Sequence, residues 1–325
     1  MSDETAEGGS PPASQQVATE VALVVGEALV DVVHRPDGQV REYPGGSPAN
    51  VALGLARLDR RARLVTWIGL DRRGRLIRDH LETGGVHLAP GSDGAPRTST
   101  AAAHLDAQGA AEYTFDLDWR VPPAKVGPDV AVLHTGSIAA TLPPGADGVA
   151  HLMASGSAHA TVTYDPNVRP SIMGTGTAVR PRIEHLVGHS DVVKVSDEDL
   201  GWLYPDDDPV DVAQQWLSRG PALVVVTRGE QGATGVAANG LVNVPAPEVT
   251  VADTVGAGDS YMAGLIDALW QAELLGAARR EALHRIPTAT LRQAMTHAAA
   301  AAAITVSRPG ADPPTRTELD SVEAQ

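Results

Sequence analysis

Cysteine is absent from the 325-residue sequence, and aromatic residues make up only 3% of it. Without cysteine the chain cannot build a disulfide scaffold, a thiolate zinc site or a cysteine nucleophile. Lysine occurs only at Lys125 and Lys194, which we interpret as an effect of composition rather than of function. The net charge of −15 argues against binding the phosphate backbone of nucleic acids as a main role.

Long hydrophobic segments are lacking too. No run approaches the roughly 20 apolar residues that a membrane-spanning helix needs. Residues 1–20 contain no basic residue and no apolar block, so they lack the parts of a secretory signal, and the predicted location is the cytoplasm. Residues 1–18 are rich in Ser, Pro, Gly, Gln and Glu and are expected to form a disordered tail. A short C-terminal tail is expected at 321–325.

The rest of the chain, 19–320, alternates short apolar runs with helix-length segments. The runs are apolar throughout, as expected of strands buried on both faces, and lie at 21–25, 130–134, 160–164, 191–195 and 222–226. The helix-length segments lie at 48–60, 72–83, 208–219, 259–275 and 288–304. This alternation predicts an α/β domain of βαβ units around a mainly parallel sheet.

Two segments depart from this pattern. Residues 28–44 contain Pro-Asp-Gly and residues 97–117 contain Asp-Ala-Gln-Gly, and both predict β-hairpins. Two hairpins inserted in an α/β chain favour a small β lid on one edge of the domain. The alternative is that they only add edge strands.

The segment from Asp253 to Asp259 is the most informative, because small residues at 256–258 follow a β-like run at 249–251 and precede a helical pattern. Glycines let a backbone approach a ligand, and a helix N-terminus offers unpaired N–H groups and a positive dipole end. We interpret 256–258 as a site for phosphate or for the charge of phosphoryl transfer. Asp259 would repel phosphate unless it accepts the proton of an attacking hydroxyl. The alternative for Asp259 is a helix N-cap.

Other signature motifs are missing. No Gly-Lys pair occurs, so there is no P-loop. No complete G-x-G-x-x-G is present, which argues against a dinucleotide-dependent oxidoreductase. Neither H-E-x-x-H nor a complete G-x-S-x-G is present.

Two separated signatures, GGSPANVA at 45–52 and DTVGAGDS at 253–260, together resemble the PfkB/ribokinase family of carbohydrate kinases. Between and before them GEALVD (26–31), YDPNVRP (164–170), KVSDEDL (194–200) and VVVTRGEQGA (224–233) follow in the family's order, so the resemblance covers roughly 20–320 and is strongest to bacterial fructokinases. It implies a ribokinase-like three-layer α/β/α sandwich with a small β-sheet lid.

For the acceptor, the resemblance places Asp31, Gly45, Gly46 and Asn50 in the sugar pocket and Arg97 on its lid side. A carboxylate can accept two hydroxyl hydrogen bonds, glycines let a sugar approach the backbone, and Asn both donates and accepts. Ordinary structural roles also fit these residues: a strand-end turn for Asp31, a turn before a helix for 45–50, and a surface salt bridge for Arg97.

For phosphoryl transfer, the resemblance implies that Asp259 is the catalytic base and that Gly256, Ala257 and Gly258 form the backbone anion hole. Arg169 would reach the transferring phosphate, which suits a forked guanidinium, although a surface salt bridge is the alternative. The implied ATP site comprises Lys194, Ser196, Thr227, Gly229, Gly256 and Gly258. Thr227 and Gly229 also fit the plain exit of a strand into a turn.

Two metal ions are implied as well. The family's Mg²⁺ region, Asn-x-x-Glu, aligns with 196–199, where Ser196 and Asp199 replace the first and last residue. We expect Mg²⁺ to be held by ATP phosphates and water, with Asp199 contributing through water. Asp253, with backbone carbonyls of 307–314, corresponds to a site for a monovalent cation such as K⁺.

The resemblance implies transfer of the γ-phosphate of Mg-ATP to a primary hydroxyl of a sugar, D-fructose at its 6-hydroxyl first. The alternative acceptors are 2-keto-3-deoxygluconate, ribose or a nucleoside; the few aromatic residues disfavour a nucleoside, although Tyr113, Phe115 and Trp119 could line a flat pocket. An inactive sugar sensor is the other alternative, which retention of Asp259 disfavours. A homodimer through the lids is expected, because exposed sheet edges favour pairing.

Overall fold

The computed structural model describes residues 20–105 and 111–324. Its strands are β1 (Val21–Val25), β2 (Leu29–His34), β3 (Val40–Gly45), β4 (Ala62–Val65), β5 (His87–Leu88), β6 (Thr100–Leu105), β7 (Ala111–Asp116), β8 (Val130–Gly136), β9 (Thr161–Asp165), β10 (Val192–Ser196), β11 (Leu223–Thr227), β12 (Ala233–Ala237) and β13 (Gly240–Val244). Nine of these strands form a large sheet in the order β13-β12-β11-β10-β9-β8-β1-β4-β5. The pairs from β11 to β5 are parallel, and β12 and β13 join antiparallel.

The α-helices are α1 (Ser47–Arg57), α2 (Arg72–Thr83), α3 (Gly145–Gly156), α4 (Pro170–Met173), α5 (Gly176–Val187), α6 (Asp197–Leu203), α7 (Pro209–Leu217), α8 (Ala257–Gln271), α9 (Arg280–His284), α10 (Thr288–Val306) and α11 (Arg316–Glu323). Apolar side chains of α1, α2, α8 and α10 pack on one face of the large sheet. Those of α3, α5, α6 and α7 pack on the other face. Both faces are therefore covered, which confirms the predicted α/β/α sandwich and explains why β1, β8 and β9 are buried along their whole length.

Close packing of α8 against the alanine-rich α10 fixes the helix that begins at the predicted anion-hole loop, 256–258. A Cβ at Gly264 of α8 would lie 2.9 Å from the Cα of Ala298, so the two helices approach at backbone distance. Small residues on both helices are what allow this approach.

A second sheet in the order β3-β2-β6-β7 is the small sheet predicted to act as a lid, and it is called the lid below. Both predicted hairpins are present, because β2 pairs antiparallel with β3 and β6 with β7, and the hairpins join through the parallel pair β2–β6. The predicted Asp-Ala-Gln-Gly turn of the second hairpin lies outside the described residues. The lid leaves the core at residues 26–28, directly after β1.

The structure differs from the sequence predictions in two places. Residues 249–251, expected to be β-like, form no strand, and Val249 and Val251 are exposed. Pro245 and Pro247 precede them and lack the N–H groups that a strand ladder needs. Helix α11 continues to Glu323, into the segment expected to be a tail. The expected N-terminal tail, 1–18, lies outside the described residues. Within the described part of the chain, no helix combines the length and apolar character needed to cross a bilayer.

Candidate active site

The loop before α8 has the features of an anion cradle. Gly256 adopts a left-handed conformation (φ 77°) as the N-cap residue, and no side chain caps the helix. A Cβ at Gly256 would lie 2.7 Å from the Cβ of Ala311, and a Cβ at Gly258 would lie 2.9 Å from Lys194 Nζ. The loop is therefore restricted to small residues, and the positive end of α8 is left without a side-chain acceptor.

Asp259 lies in the first turn of α8 and is 7% exposed. Ser47 Oγ donates to its Oδ1 at 2.6 Å, Asn50 Nδ2 donates to its Oδ2 at 2.8 Å, and Asn167 Nδ2 donates to Oδ1 at 3.5 Å. All three partners come from other elements and all donate. The N-cap alternative is therefore wrong, and the carboxylate is held as an acceptor facing the start of α1 and the end of β9.

The residues predicted to bind the acceptor lie in the lid and at the start of α1. Asp31 of β2 pairs with Tyr43 of β3, and its carboxylate lies so close to Gly45 that a side chain there would collide with it. A Cβ at Gly46 (φ 108°) would lie 2.5 Å from the carbonyl oxygen of Glu27. Both glycines are thus required by the protein's own packing. Burial raises the pKa of Asp31 to about 6, although the nearby Arg169 opposes this.

Arg169 and Asn167 connect the two sides. Arg169 Nη1 donates to Asn167 Oδ1 at 2.7 Å and to the carbonyl of Val168 at 3.0 Å. Asn167 has a positive φ of 39° and also donates to Asp259. Arg169 is exposed yet lies close enough to lower the pKa of Asp31. One asparagine therefore links the predicted phosphate-binding arginine with the predicted base.

Lys194 lies beneath the anion-hole loop and is only 3% exposed. Its Nζ is 2.8 Å from Asp165 Oδ2 and donates to the Gly258 carbonyl at 3.4 Å. Burial would lower the pKa of Lys194, but the carboxylate of Asp165 raises it. Burial raises the pKa of Asp165 to about 6, which Lys194 opposes. Lys194 therefore stabilises the loop 256–258 from the interior of the protein, through its contacts with Asp165 and the Gly258 carbonyl.

Ser196 and Asp199 form the capping box of α6. Asp199 Oδ1 also accepts from the backbone N–H of Val168 at 3.0 Å. No cluster of three His, Asp or Glu side chains that could hold a metal occurs within residues 20–105 and 111–324. The side chains of Ser196 and Asp199 would suit an Mg²⁺ ion that keeps water and phosphate ligands rather than an ion enclosed by protein carboxylates.

The remaining predicted residues lie at three places. Thr227 pairs with Ser196 at the ends of β11 and β10, and Gly229 (φ 50°) begins the next turn with open space around it. Asp253 accepts from the N–H groups of Val255 at 3.0 Å and Gly310 at 2.9 Å, and these bonds lower its pKa. Arg97 is more than half exposed and pairs with Asp116 within the lid, so the structure shows the salt-bridge alternative for it.

Four buried or half-buried residues of the site were not predicted, namely Glu27, Ser47, Asp165 and Asn167. Each stands inside one of the quoted motifs, so the sequence did contain a signal. What the motifs do not show is contact, since Ser47 and Asp259 are 212 positions apart.

Comparison with known proteins agrees with this geometry. The family description "pfkB family carbohydrate kinase" matches residues 19–318. A fructokinase from Rhizobium leguminosarum bv. trifolii is 34% identical over 265 residues, which cover 78% of this chain and 81% of the relative. A fructokinase from Klebsiella pneumoniae is 31% identical over 76% of this chain and 83% of the relative.

Solved structures give the same result. Fructokinase from Xylella fastidiosa with bound ATP superposes with a TM-score of 0.80 at 25% identity, covering 94% of this chain and 100% of that one. A fructokinase double mutant from Vibrio cholerae with fructose, ADP and potassium gives 0.75 at 26% identity (93% and 98% covered). Aminoimidazole riboside kinase from Salmonella enterica gives 0.73 at 26% (93% and 99% covered). With the family description matching almost its whole length, this chain belongs to the pfkB family of carbohydrate kinases.

Proposed function

We propose that this kinase transfers the γ-phosphate of Mg-ATP to the 6-hydroxyl of D-fructose. The observation that carries the proposal is the position of Asp259, a buried carboxylate held by three donors, in the first turn of an uncapped helix and beside a lid that presents Asp31. The relatives named fructokinase support fructose as the acceptor.

In the proposed reaction Asp31, Asn50 and the backbone at Gly45 and Gly46 hold the sugar. Asp259 accepts the proton of the attacking hydroxyl. The N–H groups of 256–258 and the guanidinium of Arg169 stabilise the charge that develops on the transferring phosphate. Closure of the lid excludes water, which would otherwise compete as acceptor.

The nucleotide would lie against Ser196, Thr227 and Gly229 at the ends of β10 and β11, with its phosphates at Gly256 and Gly258. Mg²⁺ would enter with ATP, neutralise phosphate charge and reach Asp199 through water. K⁺ would be held where the N–H of Gly310 donates to Asp253, between the loop of Asp253 and the segment 307–314. A neighbour's structure with bound potassium supports testing this. ATP as the donor also fits the predicted cytoplasmic location.

A riboside, with its planar base, is the second candidate acceptor. Phe115 stacks against Tyr113 with ring centroids 6.1 Å apart, and Ala101 lies between Asp31 and Phe115 in the lid register. The fold neighbour that binds aminoimidazole riboside supports this candidate. Trp119 does not contribute a pocket wall, because it is buried and its Nε1 donates to the carbonyl of Ala139 at 2.9 Å.

The homodimer through the lids stays a proposal with its own support. Tyr43 and Tyr113 are about half exposed and lie on the lid face that also bears Asp31, and β3 and β7 are edge strands. A mass measurement in solution tests it, with a monomer at micromolar concentration as the contrary result.

A coupled ADP-release assay tests the function. Mg-ATP, with and without K⁺, is combined with fructose, ribose, 2-keto-3-deoxygluconate, adenosine, aminoimidazole riboside, fructose 6-phosphate or no acceptor. We expect the highest kcat/KM on fructose. A higher value on another acceptor would keep the mechanism and move the specificity. Turnover on none, by protein that binds ATP, would favour the sugar sensor and remove Asp259 from its role.

A further inference from the structure

We propose that Glu27 is a positioning residue of the acceptor site: its buried carboxylate fastens the hinge of the lid to the turn after β8. The inference rests on the proposed function, in which the lid residue Asp31 binds the acceptor. Glu27 touches neither the base nor the anion-hole loop, so its effect is exerted through other residues.

The hinge is the segment 26–28, which joins β1 of the core to β2 of the lid. The N–H of Gly26 donates to the carbonyl of Val65 at 3.0 Å, and Pro48 packs so closely on Gly26 that no side chain fits there. The carbonyl of Glu27 lies against Gly46, the N-cap residue of α1. The main chain of the hinge is therefore wedged between β4 and the start of α1.

The side chain of Glu27 anchors the same hinge on its other side. It is 5% exposed, and its Oε2 accepts the backbone N–H of Ala139 at 3.0 Å. The side chain of Ser137 also acts to lower the pKa of Glu27. Ser137 has a φ of 53°, which is rare for a residue other than glycine and persists only where the surroundings enforce it. Glu27 supplies part of that enforcement and so holds the 3₁₀ turn Ser137–Ala140 at the end of β8.

Glu27 also interacts electrostatically with Arg169. Burial raises the pKa of Glu27 to about 7, while its hydrogen bonds and the guanidinium of Arg169 oppose the rise. Asp31 faces the same arginine. Two carboxylates, one in the hinge and one in the lid, thus share one cation.

Two substitutions separate the hydrogen bond that Glu27 accepts from its charge. Glu27→Gln keeps an oxygen for the Ala139 N–H but removes the charge, whereas Glu27→Ala removes both and leaves a buried N–H without an acceptor. Because Asp31 lies only four residues after Glu27, we expect the acceptor KM to rise and the ATP KM to stay unchanged. Glu184→Gln is the matched control, since Glu184 is a half-buried carboxylate on α5 that accepts from Tyr204 away from the site.

Steady-state kinetics between pH 6 and 9 tests the proposal. We expect the acceptor KM of Glu27→Ala to rise about tenfold or more, with the ATP KM within about twofold. Glu27→Gln, which keeps an oxygen for the Ala139 N–H, should raise the acceptor KM less. Equal rises in both KM values, or an unchanged acceptor KM in Glu27→Ala, would overturn the proposal.

Hydrogen exchange keeps the proposal testable without turnover. Glu27→Ala should lose protection at Ala139 and along β2 while α8 keeps its protection, and Glu27→Gln should lose less. Unchanged protection at these sites would contradict the anchoring role. A wild-type protein that phosphorylates no acceptor would refute the proposed function, and the exchange result would still decide the role of Glu27.

Discussion

Replacing Asp259 with asparagine tests the proposed base with the least change in shape. The new side-chain oxygen can still accept from Ser47 Oγ, now at 2.6 Å, but the new amide faces the Nδ2 donor of Asn50, now at 2.8 Å. A general base contributes ~10²–10⁴-fold, which equals ~2.7–5.4 kcal/mol of barrier. The opposed donors cost about 1–3 kcal/mol of folding stability. We therefore expect kcat to fall at least about a hundredfold in a protein that remains folded.

The assay measures kcat by ADP release, acceptor and ATP binding by calorimetry, and stability by thermal denaturation. Asp211→Asn is the control, because Asp211 also lies in the first turn of a helix but is exposed on α7. It should leave kcat unchanged. Turnover of Asp259→Asn within tenfold of wild type, with both substrates still bound, would show that another group takes the proton and would refute the reasoning.

Three further predictions concern the loop, the pH dependence and the lid. Gly256→Ala should destabilise the fold by about 1–3 kcal/mol and lower kcat, because residue 256 has a left-handed backbone and the new Cβ would lie 2.8 Å from the Cα of Ala311. Denaturant unfolding and turnover measurements check this. Burial would lower the pKa of His297, but Asp267 and Glu323 raise it, so its contribution to stability is full below about pH 6.5 and is lost as pH rises through the higher folded-state pKa. Melting temperatures from pH 5.5 to 9 should show this fall, and His297→Gln should flatten it. Asp31→Asn should raise the acceptor KM roughly ten- to a hundredfold and leave the ATP KM unchanged, whereas equal changes in both would place Asp31 outside the acceptor site.

The core of the fold could be predicted because its strands are buried on both faces. Such strands consist of uninterrupted apolar runs, and the runs at 160–164, 191–195 and 222–226 are found shifted by only one residue. Helix α2 has the predicted bounds, 72–83, because Asp71 caps its start. The run at 249–251 shows the limit of this reasoning. A short β-branched triplet does not pair when prolines precede it and no neighbouring edge receives it.

The sequence motifs predict which residues belong to the candidate site, but they do not predict which of these residues are in contact. Each motif shows which residue types stand together along the chain, and the resemblance gave Asp259 its proposed partners in the reaction. The hydrogen bonds to Asp259 depend instead on the packing of α1 beside α8 and on the end of β9 next to both. Carboxyl ends of parallel strands converge at one edge of a sheet, but the order of the strands is a property of the whole fold.

The glycines of the first signature have a packing role that the sequence does not predict. Gly45 and Gly46 were expected to leave room for a sugar. In the structure a side chain at either position would collide with the protein itself, with Asp31 or with the carbonyl of Glu27. The glycines are needed so that the lid can meet the start of α1, which is where the resemblance places the acceptor.

If the proposed function holds, acceptor choice depends on the register of the lid strands. Tyr43, Asp31, Ala101 and Phe115 lie opposite one another across β3, β2, β6 and β7, so they share one face. A slip of one residue between the hairpins would turn Ala101 and Phe115 away from Asp31, because successive side chains of a strand point to opposite faces. The parallel pairing of β2 with β6 joins segments about 70 residues apart, and no local signal sets it. The small side chain of Ala101, between Asp31 and Phe115, is therefore where a riboside with a planar base and a fructose would be distinguished. Ala101→Leu should change the kcat/KM values for these two acceptors in opposite directions.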